Sequence, residues 1–390
     1  VAVSFTACGG RSEHAKKLNI DTAVSINIWY QDDAYTSYLD YIAQQFHKAN
    51  EFITVNPVKV EENNLLDAVY NGSIAQNNVA DVYLMEASDM QRAYLMGLTA
   101  ENDAYTQYYS QKHFPVTAVN AACYEGKLYG YPVTFHTAVM VYNKKYATAP
   151  ENFEQIEAFL NSYQVTDENK DVNMIVGWDT QDLWTNYAFG GSYVDNGGAQ
   201  GEDAESDVQT EALKAAMTEY AALQNTFGIV DKTQEEYKQM FINNQLIYTI
   251  LDSTQLADLN ACGVDYGICA VPGAKTGFGT QSLSDTILAM VNPYSENTDT
   301  AKAVAQAISY DYADLLEKDT GYISARTDVA DKNKKVLYQP LYEVYAQSDS
   351  YAKYIGADEF YVRYSILLHN IWKGEDLNES VDAFIKAVSR

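Results

Sequence analysis

Two pairs of acids are the first residues with chemistry to offer, Asp179 with Asp182 and Asp252 with Asp258. Two carboxyls flanking a glycosidic oxygen can hydrolyse it, one as acid and the other as base or nucleophile. Among 53 acidic residues such pairs also arise by chance, so a secreted glycoside-active enzyme stands only as an alternative. His136 lies inside an aromatic, partly apolar segment, while His14, His47, His113 and His369 fall on helix-like or terminal text. No GxSxG elbow, HExxH pair or GxxxxGK[ST] cradle accompanies them, which removes the usual anchors of hydrolases and kinases. Cys8, Cys123, Cys262 and Cys269 show no CxxC spacing and complete no zinc pattern with histidine. No metal, cofactor or catalytic residue is expected. Cys262 and Cys269 either pair in an exported chain or sit as two buried thiols on a turn and a strand.

The rings say more than the acids. The stretch ACYEGKLYGYPVTFHTAVMVYNKKY, residues 122 to 146, gathers Tyr124, Tyr129, Tyr131, Phe135 and Tyr142 around one proline and His136. Tyrosine outnumbers phenylalanine 33 to 13, and Trp29, Trp178 and Trp184 stand beside strand ends or turn signals. Such rings offer a flat apolar face and a polar tip, suited to stacking on a sugar while carboxylates and amides meet its hydroxyls. The alternative for any one tyrosine is ordinary half-buried packing at a domain edge.

These residues need a frame. At 390 residues the chain exceeds what one core usually supports. The segments TAVSINIWY, ITVNPVKV and ADVYLM read as strands, separated by helices whose apolar residues recur every three or four positions, as Leu39, Ile42, Ala43 and Phe46 do. Strand, helix, strand, helix, strand implies a parallel sheet faced by helices. Ligands gather at the carboxyl ends of such strands, here Trp29-Tyr30 and Glu86-Ala87-Ser88. A second α/β lobe follows, with strands LIYTIL, YGICAVP and TILAMVN, and the glycine-rich residues 190–203 are expected as an exposed loop. A net charge of −27 disfavours nucleic acid and anionic lipid as partners and favours a neutral or cationic ligand.

The opening VAVSFTACGGRSEHAKK runs from apolar text through Thr6-Ala7 to Cys8-Gly9-Gly10. It resembles a bacterial lipoprotein box, which implies export and a lipid on Cys8 that tethers the chain to the outer face of a cytoplasmic membrane, as in Gram-positive bacteria. No later stretch reaches the ~18 apolar residues of a membrane span.

YEGKLYGYPVTFHTAVMVYNKKYATAPENFEQI resembles the crossover of the extracellular solute-binding proteins of carbohydrate ABC importers, in the group (family 1) that includes maltodextrin-binding protein. Gly126 to Pro132, Tyr142-Asn143-Lys144 and Pro150 to Phe153 carry that likeness. DVYLMEASDMQRAYLMGLTAEND, TILAMVNPYSENTDTAKAVAQAIS, GYISAR and WKGEDLNESVDAFIKAV match further family segments in order, over about residues 22 to 388. The resemblance implies an α/β, periplasmic-binding-protein-like type II fold with two lobes, a hinge and an interlobe ligand cleft. The implied organisation is a signal remnant and linker at 1–21, an N-terminal lobe of 22–136 plus 285–322, and a C-terminal lobe of 137–284 plus 323–390. It implies capture of an oligosaccharide, first a maltooligosaccharide or other α-glucan, by a monomer that delivers it to membrane permease subunits without turnover. A binder of peptides or polyamines shares the acidic lining. Ligand contacts are expected from Trp29, Tyr30, Glu86, Ser88, Phe135, His136, Trp178, Asp179, Trp184, Asp252, Ser253 and Arg326. His136 falls where that group places a sugar-binding Glu, and Asp252-Ser253-Thr254 stand where it usually has a Trp-bearing loop.

Overall fold

The structure, a computed structural model, describes residues 18, 20–61, 64–197, 206–329 and 332–388. Cys8 and the expected lipid-bearing segment lie outside the described residues. The chain divides into two compact units, residues 1–135 with 286–329, and residues 136–285 with 330–390. It passes from the first to the second inside the strand Tyr131–Asn143 and returns inside the strand Leu283–Val291. Residues 323–329, expected with the second lobe, belong to the first unit. Their backbone explains why: Ala325 N donates to the Val133 carbonyl at 3.0 Å and Thr134 Oγ1 to that of Ile323 at 2.6 Å.

In the first unit, Val24–Tyr30 lies between Ile53–Lys59 and Val82–Glu86, parallel to both, in register Val24↔Ile53 and Ile28↔Val82. The returning strand pairs antiparallel with Val82–Glu86, Ile287 opposite Glu86. One core buries Trp29, Tyr83 and Met85 with Leu65, Leu66 and Val69 of helix Leu65–Ala75. Helix Thr36–Ala49 buries the expected Leu39, Ile42 and Phe46 stripe together with Tyr38. Helix Thr298–Gln306 runs into a π turn over Ala307–Asp311. Widening a helix in this way frees carbonyls from the regular ladder, and the Tyr38 hydroxyl donates to that of Ile308 at 2.6 Å.

In the second unit, the segment after His136 is flanked on both sides and antiparallel to each neighbour: Leu246–Asp252 through Tyr248↔Tyr142 and Asp252↔Ala138, and Tyr266–Cys269 through Gly267↔Tyr142. Met174–Val176 extends the sheet parallel to Leu246–Asp252. Both faces of this central strand are covered, and it is apolar without alternation, with Ala138 to Val141 fully buried. Gly267 is required where it stands, since a Cβ there would enter the Tyr142 ring. Trp178, Phe153, Phe189, Tyr220 and Trp372 form the aromatic core of this unit.

The glycine-rich stretch is only partly a loop. Gly190 and Gly191 close the helix Leu183–Gly191 and are buried, where a side chain would strike the Tyr364 hydroxyl and the Gln281 carbonyl respectively. Val194–Asp195 then forms a short strand with Asp207–Val208, and 198–203 lie outside the described residues. Glycine here marks close packing as much as a turn.

Candidate functional site

At the carboxyl ends of the parallel strands of the first unit, hydrogen bonding converges on a polar rim. Asp32, just beyond Tyr30, accepts from the Tyr322 hydroxyl at 2.6 Å, and the Tyr322 ring packs on Tyr35 with centroids 5.7 Å apart. Lys59, opposite Tyr30 in the ladder, reaches Asp33 at 2.8 Å and Glu61 at 3.2 Å. Glu86 is exposed at the end of its strand and Ser88 is half-buried in the following turn. Glu86 and Ser88 thus lie at a strand end, and Asp32, Lys59 and Tyr322 lie at the neighbouring ones.

The expected rings of this unit are buried. Trp29 is enclosed in the core beneath Gly72, because this end of the strand is covered on both faces, with Ile28 and Tyr30 on the other face buried as well. Tyr30 is buried with its hydroxyl 2.9 Å from Thr36 Oγ1, and Phe135 is buried. Arg326 is committed to its own unit. Its Nε and Nη2 fork onto Asp328 at 2.6 and 3.2 Å, Nη1 donates to the Tyr310 carbonyl at 2.8 Å, and the guanidinium lies 3.7 Å over the Tyr310 ring. Such a bidentate, stacked arginine leaves little donor capacity for a ligand.

In the second unit a different set assembles. His136 Nδ1 lies 3.1 Å from Asp252 Oδ2, and Trp184 packs on the imidazole at 4.4 Å. Tyr351 stacks on Trp184 at 5.8 Å with 27° between planes, and Tyr361 on Tyr351 at 3.8 Å and 26°. His136, Trp184 and Tyr351 are each half-buried, so this ladder is partly accessible. Asp182 caps the helix that carries Trp184, accepting from Thr185 N at 2.9 Å. Asp358 accepts from the Tyr351 hydroxyl at 2.7 Å. Burial alone would push the Asp252 carboxyl up, but bonds from His136 and from the Thr254 hydroxyl and amide outweigh it and hold the group below the usual carboxylate range.

Three expected residues of this unit are structural. Trp178 is fully buried among Phe153, Phe189 and Trp372, with Nε1 donating to Asn186 Oδ1 at 2.8 Å, and offers no face to a ligand. Ser253 Oγ accepts from Thr137 N at 3.2 Å and is buried. Asp179 organises its turn, accepting from Gln181 N at 2.9 Å and Gln234 N at 3.2 Å. The acid pairs lose their catalytic reading on the same grounds. Asp182 is a helix cap, and Asp258 pairs with Lys238 instead of Asp252.

Tyr351, like Asp32, Lys59 and Tyr322, is a candidate that the sequence did not mark. It follows the two-residue strand Asp349–Ser350, which pairs with Leu283–Ser284, and nothing local in its text distinguishes it from 32 other tyrosines. Among the described residues no cluster of His, Cys, Asp or Glu could hold a metal. No described helix is long and apolar enough to cross a membrane. Cys262 and Cys269 are not bridged to each other.

The profile of the bacterial extracellular solute-binding proteins matches residues 41–342, most of the chain. The chain belongs to that family. Its members bind without turnover. The matching profile is family 8, a different number from the one expected within the same class of binder. The maltodextrin-binding protein MdxE of Bacillus subtilis is 22% identical over 293 residues, which span 71% of this solute-binding protein and 66% of that relative's own length. Among solved structures, a cyclo/maltodextrin-binding protein complexed with maltotetraose superposes with a TM-score of 0.77 at 16% identity, covering 95% of this chain and 97% of that one. An extracellular solute-binding protein of Staphylococcus aureus in complex with maltose gives 0.75 at 18% identity, covering 95% and 98%. At such identities the likeness establishes the periplasmic-binding-protein-like α/β fold.

Proposed function

We propose that this solute-binding protein captures an oligosaccharide of the maltodextrin class and presents it to the permease of an ABC importer. The observation that carries the reading is the half-exposed stack of Trp184 and Tyr351 beside the His136–Asp252 pair. A pyranose has apolar C–H faces and a belt of hydroxyls that both donate and accept. Aromatic planes meet the first, each contributing about 0.5–1.5 kcal/mol, and a carboxylate and imidazole meet the second at about 1 kcal/mol net per bond. Neighbours of the same fold whose complexes hold maltotetraose or maltose support the choice of an α-glucan. The same reading includes a lipid on Cys8 as the tether and a monomeric chain.

A thermal-shift panel tests it. Maltotriose and maltotetraose should raise the melting temperature of the full chain with a concentration dependence set by binding to the native state. Amino acids, short peptides and spermidine should not. A salt-sensitive shift with spermidine and none with any sugar would replace the oligosaccharide by a cationic solute.

A further inference from the structure

The aromatic ladder of the second unit continues below the surface. Tyr361 is 2% exposed, and the half-buried Tyr351 lies stacked on it at 3.8 Å and 26°. Tyr361 belongs to helix Ala357–Lys373, whose buried Tyr361, Tyr364, Leu368 and Ile371 recur at three- and four-residue intervals. Tyr364 of that face packs on Tyr187 at 5.0 Å, which fixes the helix to the core.

The Tyr361 hydroxyl is spent on the segment that carries Tyr351. Its oxygen accepts from Ala352 N, the residue after Tyr351, and from Asn196 Nδ2, each at 2.8 Å. Asn196 is 0% exposed and holds the residues before Tyr351, with Nδ2 3.1 Å from Asp349 Oδ2 and 3.2 Å from the Ser350 carbonyl. Tyr351 N itself donates to the Ser284 carbonyl at 2.8 Å. Tyr351 is thus held at its ring, at its amide and at the residues on either side of it, by groups that are themselves buried. A tyrosine free to turn would lose rotamer freedom when a ligand settled on it, and that loss would be subtracted from affinity. Contact residues are kept in their binding geometry by neighbours that lock them through packing and hydrogen bonds.

We propose that Tyr361 is a positioning residue for solute capture: its ring sets the plane of Tyr351, and its hydroxyl, together with Asn196, fixes the backbone beneath that plane. Tyr361 acts through Tyr351 and makes no contact with the sugar. This role rests on the reading of the Trp184–Tyr351 stack as the sugar platform.

The test is calorimetry of maltotetraose on the full chain and its variants, at a temperature where each is folded. Acrylamide quenching of fluorescence accompanies it, with the Trp184 signal isolated by comparison with the same proteins carrying Trp184→Phe. Tyr361→Leu should bind maltotetraose roughly three- to tenfold more weakly, and that loss should vanish in a Tyr351→Ala background. Without sugar, Tyr361→Leu should make Trp184 more quenchable, since Tyr351 no longer covers it steadily. Tyr361→Phe keeps the ring and gives up the two bonds, so it should move both readouts in the same direction by less, and it decides if Tyr361→Leu does not fold. Unchanged affinity, a loss equally large without the Tyr351 ring, or unchanged quenching overturns the positioning role, because a tyrosine serving only the core would lower the melting temperature alone. A wild type that binds no maltotetraose overturns the solute reading and the affinity claim with it, and the quenching comparison then still decides whether Tyr361 holds Tyr351.

Discussion

Replacing Asp349 by Asn should stabilise the second unit above neutral pH and leave it unchanged in acid. Asp349 sits on the short strand before Tyr351, where the Tyr187 hydroxyl and Asn196 Nδ2, the latter at 3.1 Å, donate to its Oδ2. Burial, with the charge of Asp195 adding to it, pushes the carboxyl up to about 6 from 3.8 in spite of the Tyr187 bond. A raised carboxyl binds a proton in the folded chain that the unfolded chain has released. Stability is therefore highest below about pH 4, falls as pH rises to about 6, and stays at the lower level above it. The separation corresponds to at most about 3 kcal/mol, discounted for the partial exposure of the side chain. Asparagine keeps an oxygen for Tyr187 and Asn196 and carries no charge. Melting followed by circular dichroism from pH 4 to pH 8 should show the wild type losing stability through that window, and Asp349→Asn losing less and melting higher at pH 8. Equal slopes, or a variant that melts lower at pH 8, would refute the assignment of the cost to an ionised Asp349.

The two neighbouring tryptophans should separate cleanly. Trp184→Ala should weaken maltotetraose binding by roughly two- to tenfold in calorimetry with little change in melting, whereas Trp178→Ala should cost about 3–5 kcal/mol of stability by denaturant titration. Gly267→Ala should destabilise by about 1–3 kcal/mol through collision with Tyr142, and adding Tyr142→Ala should recover part of the loss. Asp252, held below its usual range, contributes stability at neutral pH that is lost as pH falls through its folded value. Asp252→Asn should therefore melt lower at pH 7 and converge with the wild type in strong acid.

The strands at 24–30, 53–59 and 82–86 were legible because short apolar runs, caps and helical periods agree with one another over each segment. Accessible positions among the candidates were legible where exposure follows from being at a strand end, as for Glu86 and Ser88, or from sitting in the crossover, as for His136. Trp178 and Trp184 read alike in sequence, six residues apart among turn signals. Trp372, nearly two hundred residues later, packs on Trp178, while Tyr351 stacks on Trp184 and leaves it half-buried. That sorting is long-range and has no local signature. The same holds for Arg326, whose guanidinium is claimed by Asp328 and Tyr310, and for Tyr351, which no pattern marks.

The central claim is that a sugar rests on the Trp184–Tyr351 face with its hydroxyls bonded beside it. A crystal structure of the full chain grown with saturating maltotetraose tests this most directly. The account predicts a glucosyl ring in contact with Trp184 or Tyr351 and a hydroxyl bonded to His136 or Asp252. Sugar density seated away from both rings, or none at saturating ligand, would contradict it.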